Sequence, residues 1–261
     1  MRRFIGSLIL GALTLCASLT HAIEPGGVFV IGATGQTGSN FIENLPADIG
    51  PVTAFVRPTS NRARLESRNV NFAVGDVQDF DSVRRAILDA RPKIVFVAVQ
   101  SRRGEKSPYA AAAQSVVEPA REAGVSQIIW IGQAGSSKDG VVRTFKDINY
   151  ALFESALEEM SKAEKSLADS GLPLTIIRVG AIIVERGRGA HPPTGKGYLV
   201  EDQNAFGPIA YGDLGRLAAG CAGNDDCIGK VFHATDDTLG AEYVRWRCRR
   251  FAENPDADCP G

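Results

Sequence analysis

The stretch Val28-Phe29-Val30-Ile31-Gly32-Ala33-Thr34-Gly35-Gln36-Thr37-Gly38 sets three glycines between an apolar, β-branched run and a segment of helical character. Residues of these types at this spacing suit recognition of a pyrophosphate. The turn must bring backbone N–H groups to the anion, and glycine leaves no side chain in the way. On this reading Gly32 makes the tight turn, Gly35 admits the phosphate, and Gly38 lets the helix pack closely on the strand. Ala33, Thr34, Gln36 and Thr37 complete the loop. The alternative is an ordinary strand-to-helix turn; strand, glycines and helix in this order favour a dinucleotide.

Further residues fall where such a ligand would extend. The second apolar run ends in Phe55-Val56-Arg57. A carboxylate there would accept from ribose hydroxyls and repel a 2′-phosphate, whereas Arg57 offers a planar cationic fork to one. Asn61 and Arg62 lie close enough in sequence to help, so NADP is expected over NAD. The competing reading of Arg57 is a solvated strand-end cation. In Gly75-Asp76-Val77, Asp76 either accepts from an adenine amino group or caps a turn, and Val77 packs on the ring. Ala98, Val99, Gln100 and Ser101 line the path from ribose to nicotinamide, and Gln133, Ala134, Gly180 and Ala181 fall near the reacting end. The His and acidic positions show no metal-ligand spacing, and no metal is expected.

The elements that must hold these residues alternate regularly. Apolar runs at 28–33, 52–57, 70–75, 94–99, 128–132, 174–179 and 231–234 read as strands, and amphipathic segments at 37–45, 82–90, 109–123, 150–170 and 212–222 as helices. Gly124 and Gly171 stand just past helices, Asp79 or Asp81 can cap the helix that follows, and Ser107 can cap one before Pro108. The expected fold is α/β: a doubly wound, mostly parallel sheet (a Rossmann fold) with helices on both faces. The irregular stretch 185–206, rich in Gly and Pro, is expected to be a long loop that covers a substrate cleft or a disordered insertion.

The whole chain of 261 residues, 44% hydrophobic with a net charge of −1, suits one large domain, and no basic excess points to nucleic acid. Residues 1–22 read as a cleaved secretory signal. Arg2 and Arg3 precede an apolar run, small residues follow at Thr20-His21-Ala22, and no acid occurs before Glu24. That leaves 23–261 as a single nucleotide-binding domain with a small C-terminal portion from about 182, and no stable membrane span once the signal is removed. A retained anchor or an organelle transit peptide is the alternative, and the paired arginines raise twin-Arg export as a further possibility. Without Cys16 four cysteines remain, an even number that suits an exported, oxidised chain; local pairing, Cys221 with Cys227 and Cys248 with Cys259, is expected. Reduced thiols in a cytosolic protein are the competing reading.

The chain resembles the atypical short-chain dehydrogenase/reductase superfamily in its NmrA-like, NAD(P)H-binding branch. The resemblance rests on the glycine turn at 32–38, Phe55-Val56-Arg57, Gly75-Asp76-Val77, Ala123-Gly124-Val125 with Ile128-Ile129-Trp130-Ile131, the segment 167–178, and Ile209-Ala210-Tyr211-Gly212-Asp213-Leu214-Gly215. It implies NADP(H) in a Rossmann fold and a reductase, an epimerase-like enzyme or a redox sensor without turnover. The classical Tyr-x-x-x-Lys pair is missing: Tyr150 has Glu154 and Tyr211 has Gly215 at that spacing. The family's Ser after the fifth strand is also replaced by Gly132-Gln133. Lys162 lies on the helix where some members place a cofactor-contacting Lys, in a shifted register, and a solvated helix Lys is the competing reading. Two functions are expected to compete. One is an NADP(H)-dependent oxidoreductase acting on a small carbonyl or quinone-like substrate. The other is a non-catalytic NADP(H)-binding sensor or assembly factor.

Overall fold

Successive side chains of a strand point to opposite faces. In the computed structural model, which describes residues 26–66, 68–101, 107–141, 150–185, 189–190, 192–202 and 204–251, this alternation builds two cores on one sheet. Along β1 (Val28–Ile31), Val28 and Val30 enter one core, and Phe29 and Ile31 the other. The chain continues through α1 (Gln36–Asn44), β2 (Val52–Val56), β3 (Asn71–Val74), α2 (Phe80–Ala90), β4 (Ile94–Val97), α3 (Tyr109–Ala123), β5 (Gln127–Gln133), α4 (Tyr150–Asp169) and β6 (Leu174–Val179). Short strands β7 (Ala181–Ile182), β8 (Val184–Glu185), β9 (Gly189–Ala190), β10 (Tyr198–Val200) and β11 (Pro208–Ile209) follow, then α5 (Tyr211–Cys221), β12 (Val231–Thr235) and α6 (Gly240–Phe251).

The main sheet runs β10-β12-β6-β5-β4-β1-β2-β3, parallel throughout except that β10 pairs antiparallel to β12. This is the doubly wound α/β fold expected from the strand–helix alternation. Helices α1 and α5 cover one face, where Phe41 stacks on Phe96 with ring centroids 3.9 Å apart. Helices α2, α3 and α4 cover the other, packing Val83, Ala112 and Leu167 on strand residues such as Val95 and Trp130. Asp79 caps α2 by accepting from the Asp81 and Ser82 amides, and Gly124 closes α3 in the left-handed conformation. Ser107 does not cap α3, which begins behind Pro108 without a side-chain cap.

The stretch expected to be loop differs most from the sequence reading. It contributes β10 to the sheet edge and the β8–β9 hairpin. Helix α6 is a second addition, in which arginines alternate with aromatic and small residues after Gly240. Cys221 and Cys227 form a disulfide with Cα atoms 5.5 Å apart, and Cys248 is also disulfide-bonded. Cys259 and the signal-like residues 1–22 lie outside the described residues. Among the described residues no helix is long and apolar enough to cross a membrane, and no group of His, Cys, Asp and Glu could hold a metal ion.

Candidate nucleotide-binding site

The carboxyl ends of β1, β2, β4, β5 and β6 open into one cleft of about 490 Å³. It lies where the strand order reverses between β1 and β4, the point at which an open α/β sheet leaves room for a ligand. The glycine turn forms its floor. Gly32 has a φ of 84°, and a Cβ there would overlap the Ala98 carbonyl oxygen, so only glycine fits. A Cβ on Gly38 would overlap the Gly32 carbonyl oxygen, which is how its absence lets α1 begin against the strand. Gly35 is the N-cap of α1 without a side-chain cap, and the first turn holds no acidic residue. Gln36, Thr37 and Gly38 therefore bring uncapped amides and the positive end of the helix dipole to the cleft. A pyrophosphate fits this cradle.

Of the expected cofactor residues, Gly32, Thr34, Gly35, Gln36, Thr37, Gly38, Arg57, Asp76, Val77, Ala98, Val99, Gln100, Ser101 and Gln133 line the cleft, whereas Ala33, Ala134, Gly180 and Ala181 do not. Ala33 is fully buried and packs into the α1/α5 core instead. Asp76 caps a turn, one carboxylate oxygen accepting from the Gln78 amide at 2.9 Å, and the same residue borders the cleft.

At the β2 end the helpers of Arg57 are not those expected from proximity. Arg62 stacks on the Phe72 ring at 4.8 Å and Asn61 accepts from the Ala63 amide; neither lines the cleft. Ser60 and Arg64 take their place. The Arg57 amide donates to Ser60 Oγ at 3.2 Å, and Arg64, on a 3-10 turn at Ala63–Leu65, donates from Nη1 to the Thr34 carbonyl at 3.3 Å. Two arginines and a hydroxyl thus gather beside the glycine turn.

The opposite end, beyond β5 and β6, is mostly apolar, with Ile131, Met160, Val179 and Ile182 in its wall. Gln133 donates to the Gly180 carbonyl at 3.1 Å, and the Tyr109 hydroxyl accepts from the Ser101 amide at 3.3 Å. Tyr211 enters from the start of α5; burial pushes its phenol above the ordinary range. Lys162 does not reach the cleft: its side chain is 63% exposed and pairs with Glu159 at 2.9 Å. Two residues turn an α-helix by about 200°, so Met160 faces the cleft and Lys162 the solvent.

A buried ion pair holds α4 in this register. Glu164, one turn beyond Met160, is fully buried and accepts from Arg178 Nη2 at 2.7 Å and Nε at 3.2 Å. The Ser136 hydroxyl lies 2.5 Å from the carboxylate and 2.6 Å from the Gln133 carbonyl, and donates to one of them. Burial pushes the Glu164 carboxyl up, against the opposing pull of Arg178. The stretch 192–202, expected over the cleft, does not line it. Buried Asp213 accepts from the Thr194 and Gly195 amides at 2.7 and 3.0 Å, and buried Asp236 takes the Thr194 hydroxyl, so the segment is tied to the start of α5.

Residues 32–224 match the family model described as NAD(P)H-binding. An NmrA-like family domain-containing oxidoreductase from Aspergillus flavus is 29% identical over 159 residues, covering 59% of this chain and 47% of its own, so the match spans about half the length of that relative. Among solved structures, ChuY, an anaerobillin reductase from Escherichia coli O157:H7, superposes with a TM-score of 0.68 at 22% identity over 82% of this chain and 98% of its own. A wide-type short-chain dehydrogenase/reductase from Veillonella parvula, in complex with NADP, gives a TM-score of 0.63 at 15% identity, covering 82% and 95%. These two likenesses concern the fold. The cleft, its glycine cradle and the matched family model agree, and the chain belongs to the NAD(P)H-binding family, on a Rossmann fold.

Proposed function

We propose that this chain is an NADP(H)-dependent oxidoreductase that passes hydride to a small carbonyl or quinone-like acceptor. The observation that carries the nucleotide choice is the gathering of Arg57, Ser60 and Arg64 at the end of β2. Two guanidinium groups and a hydroxyl suit a 2′-phosphate, which a carboxylate at Arg57 would repel. The NADP held by the Veillonella protein of the same fold supports this choice. A bound reduced nicotinamide supplies the hydride. The residues of this chain cradle its phosphates on α1 and keep water from the reacting end with Ile131, Met160, Val179 and Ile182.

A second reading, an NADP(H)-binding sensor or assembly factor without turnover, is favoured by one observation: Met160 occupies the cleft-facing position on α4 while Lys162 faces solvent. Titration calorimetry with NADPH and NADH, followed by loss of the reduced nucleotide's near-ultraviolet absorbance with a panel of quinones and aldehydes, separates the readings. NADPH is expected to bind at least about 10-fold tighter, the worth of one charge-assisted hydrogen bond. Equal affinities overturn the NADP choice, and tight binding with no acceptor reduced leaves the sensor. Residues 1–22 further motivate the proposal that the mature chain is exported. A mature N-terminus that still includes Met1 refutes cleavage.

A further inference from the structure

The reading above leaves the reduction of a carbonyl without a proton source. Hydride added to a carbonyl carbon drives the C=O pair onto oxygen, and the resulting alkoxide is too strong a base to form unprotonated in an apolar pocket. The residues that bracket the reacting end are poor donors. Gln133 is an amide whose N–H is spent on the Gly180 carbonyl, and Met160 has no proton to give. The Tyr109 hydroxyl accepts from the Ser101 amide and keeps its own proton, but that bond holds it at the segment following β4 rather than beside β6 and β7. Asp76, Arg57 and Arg64 sit at the other end, beside β2 and β3.

Tyr211 is different. β11 pairs with β7 directly after β6, with the Ile183 amide donating to the Ile209 carbonyl at 3.0 Å, and this brings the first residue of α5 to the cleft wall beside Ile182. Its phenol has no hydrogen-bond partner among the described residues. Helix α5 is firmly seated there: Gly215 meets α1 so closely that a Cβ would approach the Phe41 amide nitrogen to 2.7 Å, and Asp213 and its partners fix the same turn. A phenol held at the reacting end by rigid elements, with an unspent hydroxyl, is placed to donate.

We infer that Tyr211 is the proton donor to the carbonyl oxygen of the substrate, taking over from a different element the role left open by the missing Tyr-x-x-x-Lys pair. The inference rests on the oxidoreductase reading. As hydride reaches the carbonyl carbon, the π pair moves to oxygen and the Tyr211 O–H proton passes to it. The carbonyl is reduced to an alcohol, the dinucleotide is oxidised, and the phenolate regains a proton from solvent. Burial, which holds the phenol protonated above its ordinary range, keeps the donor loaded at neutral pH.

The test is Tyr211→Phe, which keeps the ring and removes only the hydroxyl. Aldehyde reduction is expected to lose about 100-fold in kcat, the usual worth of a positioned acid. Quinone reduction should lose at least tenfold less, because a hydroquinone anion is a far weaker base than an alkoxide. Two readouts are independent of turnover. The NADPH dissociation constant should stay within about twofold, and ultraviolet pH titration should lose one phenol that ionises above the ordinary range. Wild-type aldehyde kcat in the variant overturns the inference and leaves the oxidoreductase reading standing. Equal losses on both acceptors, or a tenfold weaker grip on NADPH, overturn it by making Tyr211 a positioning or nucleotide-holding residue. A wild-type protein that reduces no acceptor overturns the oxidoreductase reading and the inference with it.

Discussion

Replacing Arg178 with Met would leave the Glu164 carboxylate fully buried, with Ser136 as its remaining partner. Removing one partner of a buried ion pair costs about 3–5 kcal/mol, because the orphaned charge has neither water nor a counter-ion. For a domain of this size each kcal/mol lowers the midpoint by roughly 2–4 °C, so Arg178→Met should melt about 6–20 °C below the wild type. The loss carries a pH signature. Burial already holds the folded pKa of Glu164 above the unfolded value of 4.5. Without Arg178 only the Ser136 bond opposes it, so the rise grows and the native state holds a proton the unfolded chain has released. The variant is therefore relatively more stable in acid and loses stability as pH rises past 4.5. Adding Glu164→Leu should recover most of the loss, since apolar replacements of a buried pair are often neutral. Thermal and urea unfolding of both single variants and the double variant, at acid and neutral pH, measure the coupling. A single-variant loss under about 1 kcal/mol, or a double variant no better than Arg178→Met, refutes the claim that this pair anchors α4.

Three further outcomes follow from the geometry. Arg57→Asp should weaken NADPH by about 10- to 100-fold while sparing NADH, because it swaps a charge-assisted bond for repulsion of the 2′-phosphate; retained NADPH preference by calorimetry defeats the assignment. Burial and the Arg178 guanidinium hold His233 down to about 4, against an opposing pull from Asp202. Its share of stability is thus complete above pH 6.5 and lost as pH falls toward 4, about 3 kcal/mol in all; His233→Leu should flatten that part of the acid unfolding profile. Gly38→Ala should cost about 1–3 kcal/mol and abolish detectable nucleotide binding, since its Cβ overlaps the Gly32 carbonyl and must push α1 off the turn; wild-type calorimetry in this variant contradicts the packing role.

The parts of the site legible in the sequence are those in which one residue type answers a backbone demand. Gly32 and Gly38 are where they must be because positive φ and a helix start against a strand exclude a Cβ. The mostly parallel sheet with helices on both faces followed from the alternation of apolar runs and amphipathic segments, which the two cores require. Arg64 was not legible, because its reach to the Thr34 carbonyl depends on how the 3-10 turn folds back across thirty positions of separation. Met160 and Lys162 are separated only by helical phase, which a shifted register hides. Strand β10 was missed because three residues in a Gly- and Pro-rich stretch become a strand only when β12 offers them an edge. Tyr211 is likewise placed by the remote pairing of β11 with β7.

The opposite rim of the sheet is sewn differently. Gln127, the first residue of β5, donates to the Cys221 carbonyl at 2.8 Å and to Thr175 Oγ1 at 3.1 Å, and accepts from the Gly223 amide at 2.8 Å. Thr175 on β6 in turn donates to the Cys227 carbonyl at 2.8 Å, so the disulfide loop and two central strands share one knot of dry polar bonds. The cleft rim, by contrast, keeps amides and hydroxyls unspent for a visitor. The molecule is thereby mechanically lopsided, like a fan riveted at its handle. Local opening is drawn from the regions with the fewest buried bonds, so splaying of these strands is expected at the open end, where a nucleotide would enter, with the riveted end keeping the core closed.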